Sequence, residues 1–197
     1  MNFKLGLTGS IGMGKSTTAQ LLAAEGCAVW DADAAVHRLY ARGGRAVAKM
    51  QVAFPQAIEN GAVSRARLKD IIVSDPTALK RIEAIVHPLV AEDRAAFIAQ
   101  ARSDILVFDV PLMFETGGNK AMDAVLVVSV PEEVQKQRVL SRGTMTEEQF
   151  LAIKAKQMPD AEKRALADFV VITDTLEHAK EQVASVIAKI RKGLKVA

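Results

Sequence analysis

The 197-residue sequence contains few of the residues that build disulfide and zinc sites. It has one cysteine, Cys27, and three histidines, His37, His87 and His178. A single cysteine excludes an internal disulfide framework and any cysteine-based zinc cluster, and its apolar neighbours favour a buried structural thiol. No two histidines lie four residues apart on a predicted helix. A metal that takes part in the function is therefore expected to be a hard ion held by oxygen atoms.

Long apolar runs and a strong charge imbalance are also missing. No run approaches the roughly 20 apolar residues that span a bilayer, and the apolar stretch 3–8 leads into a glycine-rich loop rather than a cleavage site. Lys and Arg number 26 against 23 Asp and Glu, so the formal net charge is only +3, which does not by itself indicate a nucleic-acid partner. The sequence thus predicts a cytoplasmic protein without a membrane or nucleic-acid partner. The oligomeric state stays open at this point, with a monomer favoured.

Apolar runs that alternate with helical patterns predict an α/β fold. The runs that resemble strands are residues 3–8, 27–30, 105–108, 124–130 and 169–172. The last three are too continuously apolar to be half-exposed, which is typical of a parallel sheet with both faces covered. We therefore predict one domain with a three-layer, doubly wound fold around a five-stranded parallel sheet.

Helical segments surround this predicted sheet. Residues 45–102 are expected to be helical almost throughout, without a good strand and with a break at His87-Pro88. Pro131 begins a helix through Arg142, and Thr144 to Glu147 resembles a capping box for a helix that ends near Gln157. The predicted boundaries are a core of 1–44, 103–136 and 165–197, a helical acceptor-binding insertion of about 45–102, and a small helical lid of about 137–164.

The strongest motif is Gly9-Ser10-Ile11-Gly12-Met13-Gly14-Lys15-Ser16, a complete G-x-x-x-x-G-K-S pattern between a predicted strand and a predicted helix. Its glycines allow backbone N–H groups to surround phosphate oxygens at the start of the helix. Lys15 is expected to bridge the β- and γ-phosphates, Ser16 to bind Mg²⁺ and Thr17 to add a phosphate contact. A glycine-rich turn with a chance lysine would explain neither the strand before nor the helix after. The sequence therefore predicts a nucleotide site.

Acidic residues follow two of the predicted strands. Asp31 and Asp33 follow the second strand, and Asp109 follows the third. Because the carboxyl ends of parallel strands meet at one edge of a sheet, we expect these acids near the phosphate loop. Asp33 is the first candidate to accept the proton of an acceptor hydroxyl, and one acid of the first pair is expected to cap a helix. Asp109 either coordinates Mg²⁺ through water or is a capping or turn carboxylate.

A GTPase is disfavoured because the guanine and switch motifs are incomplete. Asn119-Lys120-Ala121-Met122-Asp123 has one residue too many for an N-K-x-D motif. Asp109-Val110-Pro111-Leu112 lacks the glycine of a D-x-x-G switch.

Several further motifs follow the phosphate loop in order: Asp31-Ala32-Asp33 with His37, His87-Pro88-Leu89, Asp109-Val110-Pro111-Leu112 with Phe114-Glu115, and then Arg138, Arg142, Gln157, Lys163 and Ala167-Asp168. With these motifs the chain resembles the dephospho-coenzyme A kinase family over essentially its whole length. The resemblance implies transfer of the ATP γ-phosphoryl group to the ribose 3′-hydroxyl of dephospho-coenzyme A, the last step of coenzyme A biosynthesis, with Mg²⁺ as the metal.

The resemblance also implies roles for individual residues. Those expected to bind ATP are Gly12, Met13, Gly14, Lys15, Ser16, Thr17, Arg138, Arg142 and Thr173, the last standing where the family usually has an asparagine near the adenine. Those expected to bind the acceptor are Asp33, His87, Pro111, Leu112, Phe114 and Glu115, while Ser16 and Asp109 would serve the metal. Asp33, Lys15 and Arg142 would be catalytic.

Two basic groups allow more than one interpretation. Arg138 and Arg142 lie four residues apart on a predicted helix and hence share one face. There they clamp the transferring phosphate or stack on adenine, as lid arginines do in related kinases, or they face solvent. Lys163, next to Arg164, is expected to be exposed.

Two other functions stay open on sequence alone: another nucleoside or nucleotide kinase of the same fold, and a non-catalytic ATP-binding switch.

Overall fold

The structure, a computed structural model, describes residues 2–194. The chain divides into two compact units, one of Met1–Val29 with Arg102–Ala197 and one of Trp30–Ala101, which we call the core unit and the helical unit. In chain order, the elements are β1 (Phe3–Thr8), α1 (Lys15–Ala24), β2 (Ala28–Asp31), α2 (Ala32–Tyr40), α3 (Val47–Ala53), β3 (Ile58–Glu59), β4 (Ala62–Val63), α4 (Arg65–Ser74), α5 (Thr77–Gln100), β5 (Ile105–Asp109), β6 (Ala124–Ser129), α6 (Glu132–Ser141), α7 (Glu147–Lys154), α8 (Asp160–Leu166), β7 (Phe169–Ile172) and α9 (Leu176–Leu194). None of the helices described within residues 2–194 has the length and apolar character needed to cross a membrane.

The sheet has the strand order β2-β5-β1-β6-β7 within the described residues. β1 pairs in parallel with β5 and β6, and β6 pairs in parallel with β7. Alternate residues of β6 face opposite sides: Leu126 packs in a cluster that includes residues of α1 and α9, whereas Val125 and Val127 pack with Met113. Burial on both faces explains the continuous apolar runs, and the predicted α/β fold with a five-stranded parallel sheet is confirmed.

The helical unit has its own apolar core, built from α2, α3, α4 and α5. It also contains a strand pair that the sequence analysis did not predict, because β3 and β4 form a short antiparallel hairpin. Asn60 and Gly61 connect the two strands, both with positive φ, which is the backbone conformation of the tightest hairpin turns. Strands of two residues leave no hydrophobic pattern, so the Asn-Gly pair was the only local signal.

The predicted helix break at His87-Pro88 is wrong, because α5 is continuous with Pro88 inside it. Proline lacks an N–H group and therefore removes one intrahelical hydrogen bond. Val86 and Leu89, on either side of His87-Pro88, are buried in the apolar core of the helical unit. Packing of both flanking turns stabilises the helix despite the missing hydrogen bond.

The capping box that begins α7 is two residues later than predicted. Thr146 and Gln149 exchange the reciprocal side-chain to backbone hydrogen bonds, at 3.2 and 3.0 Å. Glu147, the predicted partner of Thr144, instead forms an ion pair with Lys136. The helix then ends at Lys154 rather than near Gln157, and α8 is a separate helix that the sequence analysis did not predict.

The thiol of Cys27 is buried in the core unit, as the sequence predicts. Burial raises the pKa of this thiol to about 11, so the reactive thiolate is scarce at neutral pH. We expect the native protein to react slowly with a disulfide reagent at neutral pH, and faster as the pH rises toward that value. Unfolding in guanidinium should release one fast-reacting thiol per chain. Equal rates for native and unfolded protein would contradict the burial.

Candidate active site

The phosphate loop connects β1 to α1 in the core unit. Gly12 and Gly14 have φ values of 78° and 89°, which glycine adopts without the steric penalty that a Cβ atom brings. A Cβ atom on Gly14 would lie 2.7 Å from Thr173 Oγ1, and one on Gly12 would lie 2.5 Å from Val139 Cγ2. Both glycines are therefore required by the backbone conformation and by close packing. The loop leads into the N-terminus of α1, where N–H groups and the helix dipole favour an anion.

Lys15 and Asp109 meet at the edge of the sheet. Lys15 Nζ forms an ion pair with Asp109 Oδ1 at the end of β5, where the Asp109 side chain is 3% exposed. A carboxylate buried to this degree needs a counter-charge or hydrogen bonds, and the ammonium of Lys15 provides the counter-charge. The parallel strands thus bring this acid to the phosphate loop, as the sequence predicts.

Ser16 and Asp109 offer oxygen atoms that suit Mg²⁺. Ser16 lies on the exposed first turn of α1, and its hydroxyl makes no hydrogen bond within residues 2–194. No group of three or more His, Cys, Asp or Glu side chains in that part of the chain could hold a metal by itself. Because Mg²⁺ binds through few protein oxygens, several waters and substrate phosphates, this donor set fits an ion that binds together with a nucleotide.

A cavity of about 350 Å³ adjoins the loop and gathers predicted nucleotide-binding residues from three segments of the core unit. Its lining includes Gly12, Gly14, Thr17, Arg138, Arg142 and Thr173. The Arg142 side chain forms no hydrogen bond or ion pair with any residue of 2–194. Its guanidinium donors are therefore available to a phosphate group or an adenine ring.

Arg138 and Thr173 are engaged with each other. Arg138 donates to Thr173 Oγ1 at 3.2 Å and to the carbonyl oxygens of Thr173 and Asp174 at 2.6 and 3.1 Å. The Thr173 hydroxyl donates to the carbonyl oxygen of Met13 at 2.7 Å. Arg138 thus supports the segment after β7 and, through Thr173, the phosphate loop. The two arginines share a cavity but differ in what their side chains contact.

Lys163 is 0% exposed, so the prediction that it faces solvent is wrong. Its Nζ lies 3.0 Å from Glu115 Oε1, and the Met158 N–H donates to the same oxygen at 2.8 Å. Burial raises the pKa of Glu115, but hydrogen bonds from Met158 N–H and from its own N–H, together with the Lys163 ammonium, outweigh burial and leave the pKa below its usual value. Lys163 and its partner Glu115 are 48 positions apart, so no local sequence pattern distinguishes Lys163 from an exposed lysine.

The other predicted acceptor residues of the core unit follow β5. The carbonyl oxygen of Pro111 accepts a hydrogen bond from Thr8 Oγ1 at 3.0 Å, Phe114 packs with the cluster around Met113, and Leu112 is exposed. Thr8 was missed by the sequence analysis, although its place at the end of β1 directly before the glycine loop is a usable signal. These contacts fix the start of the segment to the sheet.

Asp33 and His87 both line a second cavity, of about 530 Å³, within the helical unit. Most of its lining is apolar, and its charged members are Asp33, Arg65, Lys69 and Glu83 together with the titratable His87. Asp31 Oδ1 accepts a hydrogen bond from Ala34 N at 2.9 Å and so caps α2. This confirms that one acid of the pair is the cap. The Asp33 carboxylate is exposed and forms no hydrogen bond or ion pair within residues 2–194.

The site combines a parallel sheet, a G-x-x-x-x-G-K-S loop after the first strand, and a lysine, a buried carboxylate and an arginine around that loop. These features define the class of P-loop kinases. The family model for dephospho-CoA kinase matches residues 3–178. The chain belongs to the dephospho-CoA kinase family, whose members use ATP with Mg²⁺ to phosphorylate dephospho-coenzyme A in coenzyme A biosynthesis.

Similar proteins match this chain over nearly its whole length, in sequence and in fold. The curated dephospho-CoA kinase of Ruegeria pomeroyi is 67% identical over 193 residues, covering 98% of each chain. That of Cereibacter sphaeroides is 60% identical over 190 residues, covering 96% of each. A solved structure from Thermus thermophilus superposes with a TM-score of 0.85 at 32% identity, covering 95% of this chain and 97% of that one. The dephospho-CoA kinase from Campylobacter jejuni shares the fold, with a TM-score of 0.72 at 23% identity and coverage of 98% and 99%.

Proposed function

We propose that the protein transfers the γ-phosphoryl group of ATP to the ribose 3′-hydroxyl of dephospho-coenzyme A, giving coenzyme A and ADP. The observation that carries the choice of acceptor is the cavity of the helical unit, with its apolar walls and its Arg65 and Lys69 side chains. Dephospho-coenzyme A has a long, uncharged pantetheine arm joined to a diphosphate. Apolar walls suit the arm, and the two basic side chains suit the diphosphate.

Residues of the core unit would bind and polarise ATP. We propose that the loop N–H groups and Lys15 hold the β- and γ-phosphates, and that Arg142 stabilises the charge on the transferring group. Ser16 and Asp109 would hold Mg²⁺, which neutralises phosphate charge when it is bound. Thr173 and Arg138 would keep the loop and the segment after β7 in place around the nucleotide. In this proposal, Arg142 is the arginine that contacts ATP during the reaction.

Asp33 is the proposed general base. Its carboxylate would accept the proton of the 3′-hydroxyl as that oxygen forms a bond to the γ-phosphorus, while the bond from the γ-phosphorus to the β,γ-bridging oxygen breaks and ADP leaves. Two features support this role: Asp33 lines the proposed acceptor cavity, and its carboxylate has no partner within residues 2–194. His87, on the same cavity, would contact the acceptor. Pro111, Leu112, Phe114 and Glu115 are proposed as further residues that bind dephospho-coenzyme A.

ADP release in a coupled assay, with ATP, Mg²⁺ and a panel of acceptors, tests this function. The panel contains dephospho-coenzyme A, AMP, thymidylate, adenosine and a sample without acceptor. We expect turnover with dephospho-coenzyme A alone, and a product whose new phosphate is on the ribose 3′-oxygen by phosphorus NMR. Turnover with a different acceptor would reject the substrate, and ATP binding without any transfer would favour a non-catalytic switch.

Leu79 provides a test of the acceptor cavity. It lines the cavity and is 44% exposed. We therefore expect a lysine there to leave the fold intact and to place a charge against the pantetheine arm. We expect Leu79→Lys to raise the KM for dephospho-coenzyme A by roughly tenfold, the loss of a partly buried apolar contact, with the KM for ATP unchanged. Val52→Lys is the matched control, because Val52 lies on α3 outside the cavity lining and is 86% exposed. Equal effects of the two substitutions would reject the cavity as the acceptor site.

The cytoplasmic location and the monomeric state of the protein stay predictions. Light scattering on the purified protein tests the second, since a mass of two chains would reject the monomer.

A further inference from the structure

Two glutamines hold the backbone of one residue of the phosphate loop, Ile11, through its N–H and its carbonyl oxygen. Gln135 Nε2 donates to the carbonyl oxygen of Ile11 at 2.8 Å. The N–H of Ile11 donates to Gln157 Oε1 at 3.2 Å. Ile11 lies between Gly9 and Gly12, in the part of the loop where the chain is least restricted by side chains. Both polar groups of this residue are therefore fixed from outside the loop.

The two glutamines have opposite chemical requirements. A backbone N–H can only donate, so Gln157 must present its amide oxygen to Ile11. A backbone carbonyl can only accept, so Gln135 must present its NH₂ group. A glutamate could replace Gln157 as an acceptor, but an ionised glutamate could not replace Gln135 as a donor. This asymmetry predicts opposite effects of a glutamate on the two hydrogen bonds.

Both glutamines stand on fixed supports. Gln135 is 1% exposed within α6, and the same helix packs against Gly12 through Val139 and the carbonyl oxygen of Gln135. Gln157 precedes Met158, whose N–H is bound to Glu115, the partner of buried Lys163. The contacts of Gln157 and Met158 thus join the segment before α8 to the phosphate loop and to the segment after β5. The backbone of Ile11 is held between a buried helix and an anchored loop.

We propose that Gln135 and Gln157 are positioning residues that hold the backbone of Ile11 so that the following N–H groups of the loop face the phosphates of ATP. The inference rests on ATP as the phosphoryl donor, which is part of the proposed function. A loop that is ordered before ATP arrives loses less conformational freedom on binding. Neither glutamine contacts the reacting atoms in this proposal. Their loss should weaken ATP binding and leave acceptor binding unchanged.

Calorimetric titration of the full chain with ATP and Mg²⁺, without an acceptor, tests the proposal. Gln157→Met should weaken ATP binding by roughly tenfold, the effect of one hydrogen bond lost from an ordered site. Gln157→Glu and Gln135→Glu place the same charge beside the backbone of the same residue, but only Gln157→Glu puts an acceptor where an acceptor is needed. We expect Gln157→Glu to bind ATP roughly tenfold more tightly than Gln135→Glu. Equal affinities of the two glutamate variants, or wild-type affinity of Gln157→Met, would overturn the proposal.

A double-variant cycle keeps the test decisive if the buried charge of Gln135→Glu prevents folding. Because both side chains hold the backbone of the same residue, losing either one frees that residue to move, and Gln135→Met with Gln157→Met should weaken ATP binding by less than the product of the separate effects. A full product would overturn the proposal. Steady-state kinetics add a second readout: the KM for ATP should rise while the KM for dephospho-coenzyme A does not. Failure of dephospho-coenzyme A as an acceptor would appear in the acceptor panel and not in these ATP titrations.

Discussion

Replacing Asp33 by asparagine is expected to lower kcat by roughly 100- to 10,000-fold, the usual contribution of a general base. Asparagine has nearly the same size, but its amide cannot take the proton of the 3′-hydroxyl. The Asp33 carboxylate is exposed and has no partner within residues 2–194, so the substitution removes no hydrogen bond from the fold. Stopped-flow or coupled measurement of ADP release gives kcat, and calorimetry with ATP should show unchanged affinity.

Asp31→Asn is the matched control for that prediction. It makes the same chemical change two residues earlier, at the N-cap of α2. Asparagine is as good an N-cap as aspartate, so stability and kcat should change little. A variant Asp33→Asn with wild-type turnover would reject Asp33 as the base. A loss of activity as large in Asp31→Asn would show that the effect comes from α2 and not from the carboxylate of Asp33.

Replacing Glu115 by leucine is expected to lower the free energy of unfolding by about 3–5 kcal/mol, the penalty for leaving a buried charge without its partner. The Lys163 side chain is 0% exposed and its ammonium lies 3.0 Å from Glu115 Oε1. Lys163→Met should be less destabilising, because the Glu115 side chain is 19% exposed and keeps the hydrogen bond from Met158 N–H. Denaturant titrations monitored by circular dichroism measure both values.

The double variant Glu115→Leu/Lys163→Met is the control for this ion pair. Once both charges are absent, no unpaired ammonium remains, so the double variant should be more stable than Glu115→Leu alone. A double variant that is less stable than Glu115→Leu would show that packing, and not the unpaired charge, dominates.

The stability contributed by the Glu115 carboxylate should also depend on pH. Its folded pKa is below the usual value, so the contribution is present above the unfolded pKa of about 4.3 and is lost as the pH falls through the lower folded pKa. The difference in unfolding free energy between wild type and Glu115→Leu should therefore narrow in acid. A difference that widens in acid would contradict the ion pair.

Local sequence patterns predicted the parts of this protein that depend on neighbouring residues. The G-x-x-x-x-G-K-S loop specifies its own conformation, because Gly12 and Gly14 occupy positive φ angles that other residues avoid. The buried strands β5 and β6 leave continuous apolar runs, since both faces of the sheet are covered. The side chain of Asp31 caps the helix that begins one residue later. The position of Asp109 beside the phosphate loop followed from one topological rule for parallel strands, whereas its ion pair with Lys15 did not.

Other features were decided by contacts between distant parts of the chain. A lysine beside an arginine is usually exposed, yet Lys163 is buried because Glu115 meets it. Proline usually interrupts a helix, yet α5 continues because its apolar face packs on both sides of Pro88. No local pattern marks Gln135 as a residue that holds the phosphate loop across 124 positions of sequence.

By itself, the sequence determined the α/β class, the parallel sheet, the phosphate loop and the resemblance to dephospho-CoA kinases, because each of these is carried by residues that are adjacent or regularly spaced. The tertiary structure alone decided which polar side chains are hydrogen-bonded within the protein and which are available to a ligand. Arg138 is engaged with Thr173 and Arg142 is not, although the two have the same chemistry and lie on one short stretch of chain. The physical reason is that a side chain's role depends on what packs against it, and that contact is made only when the chain folds.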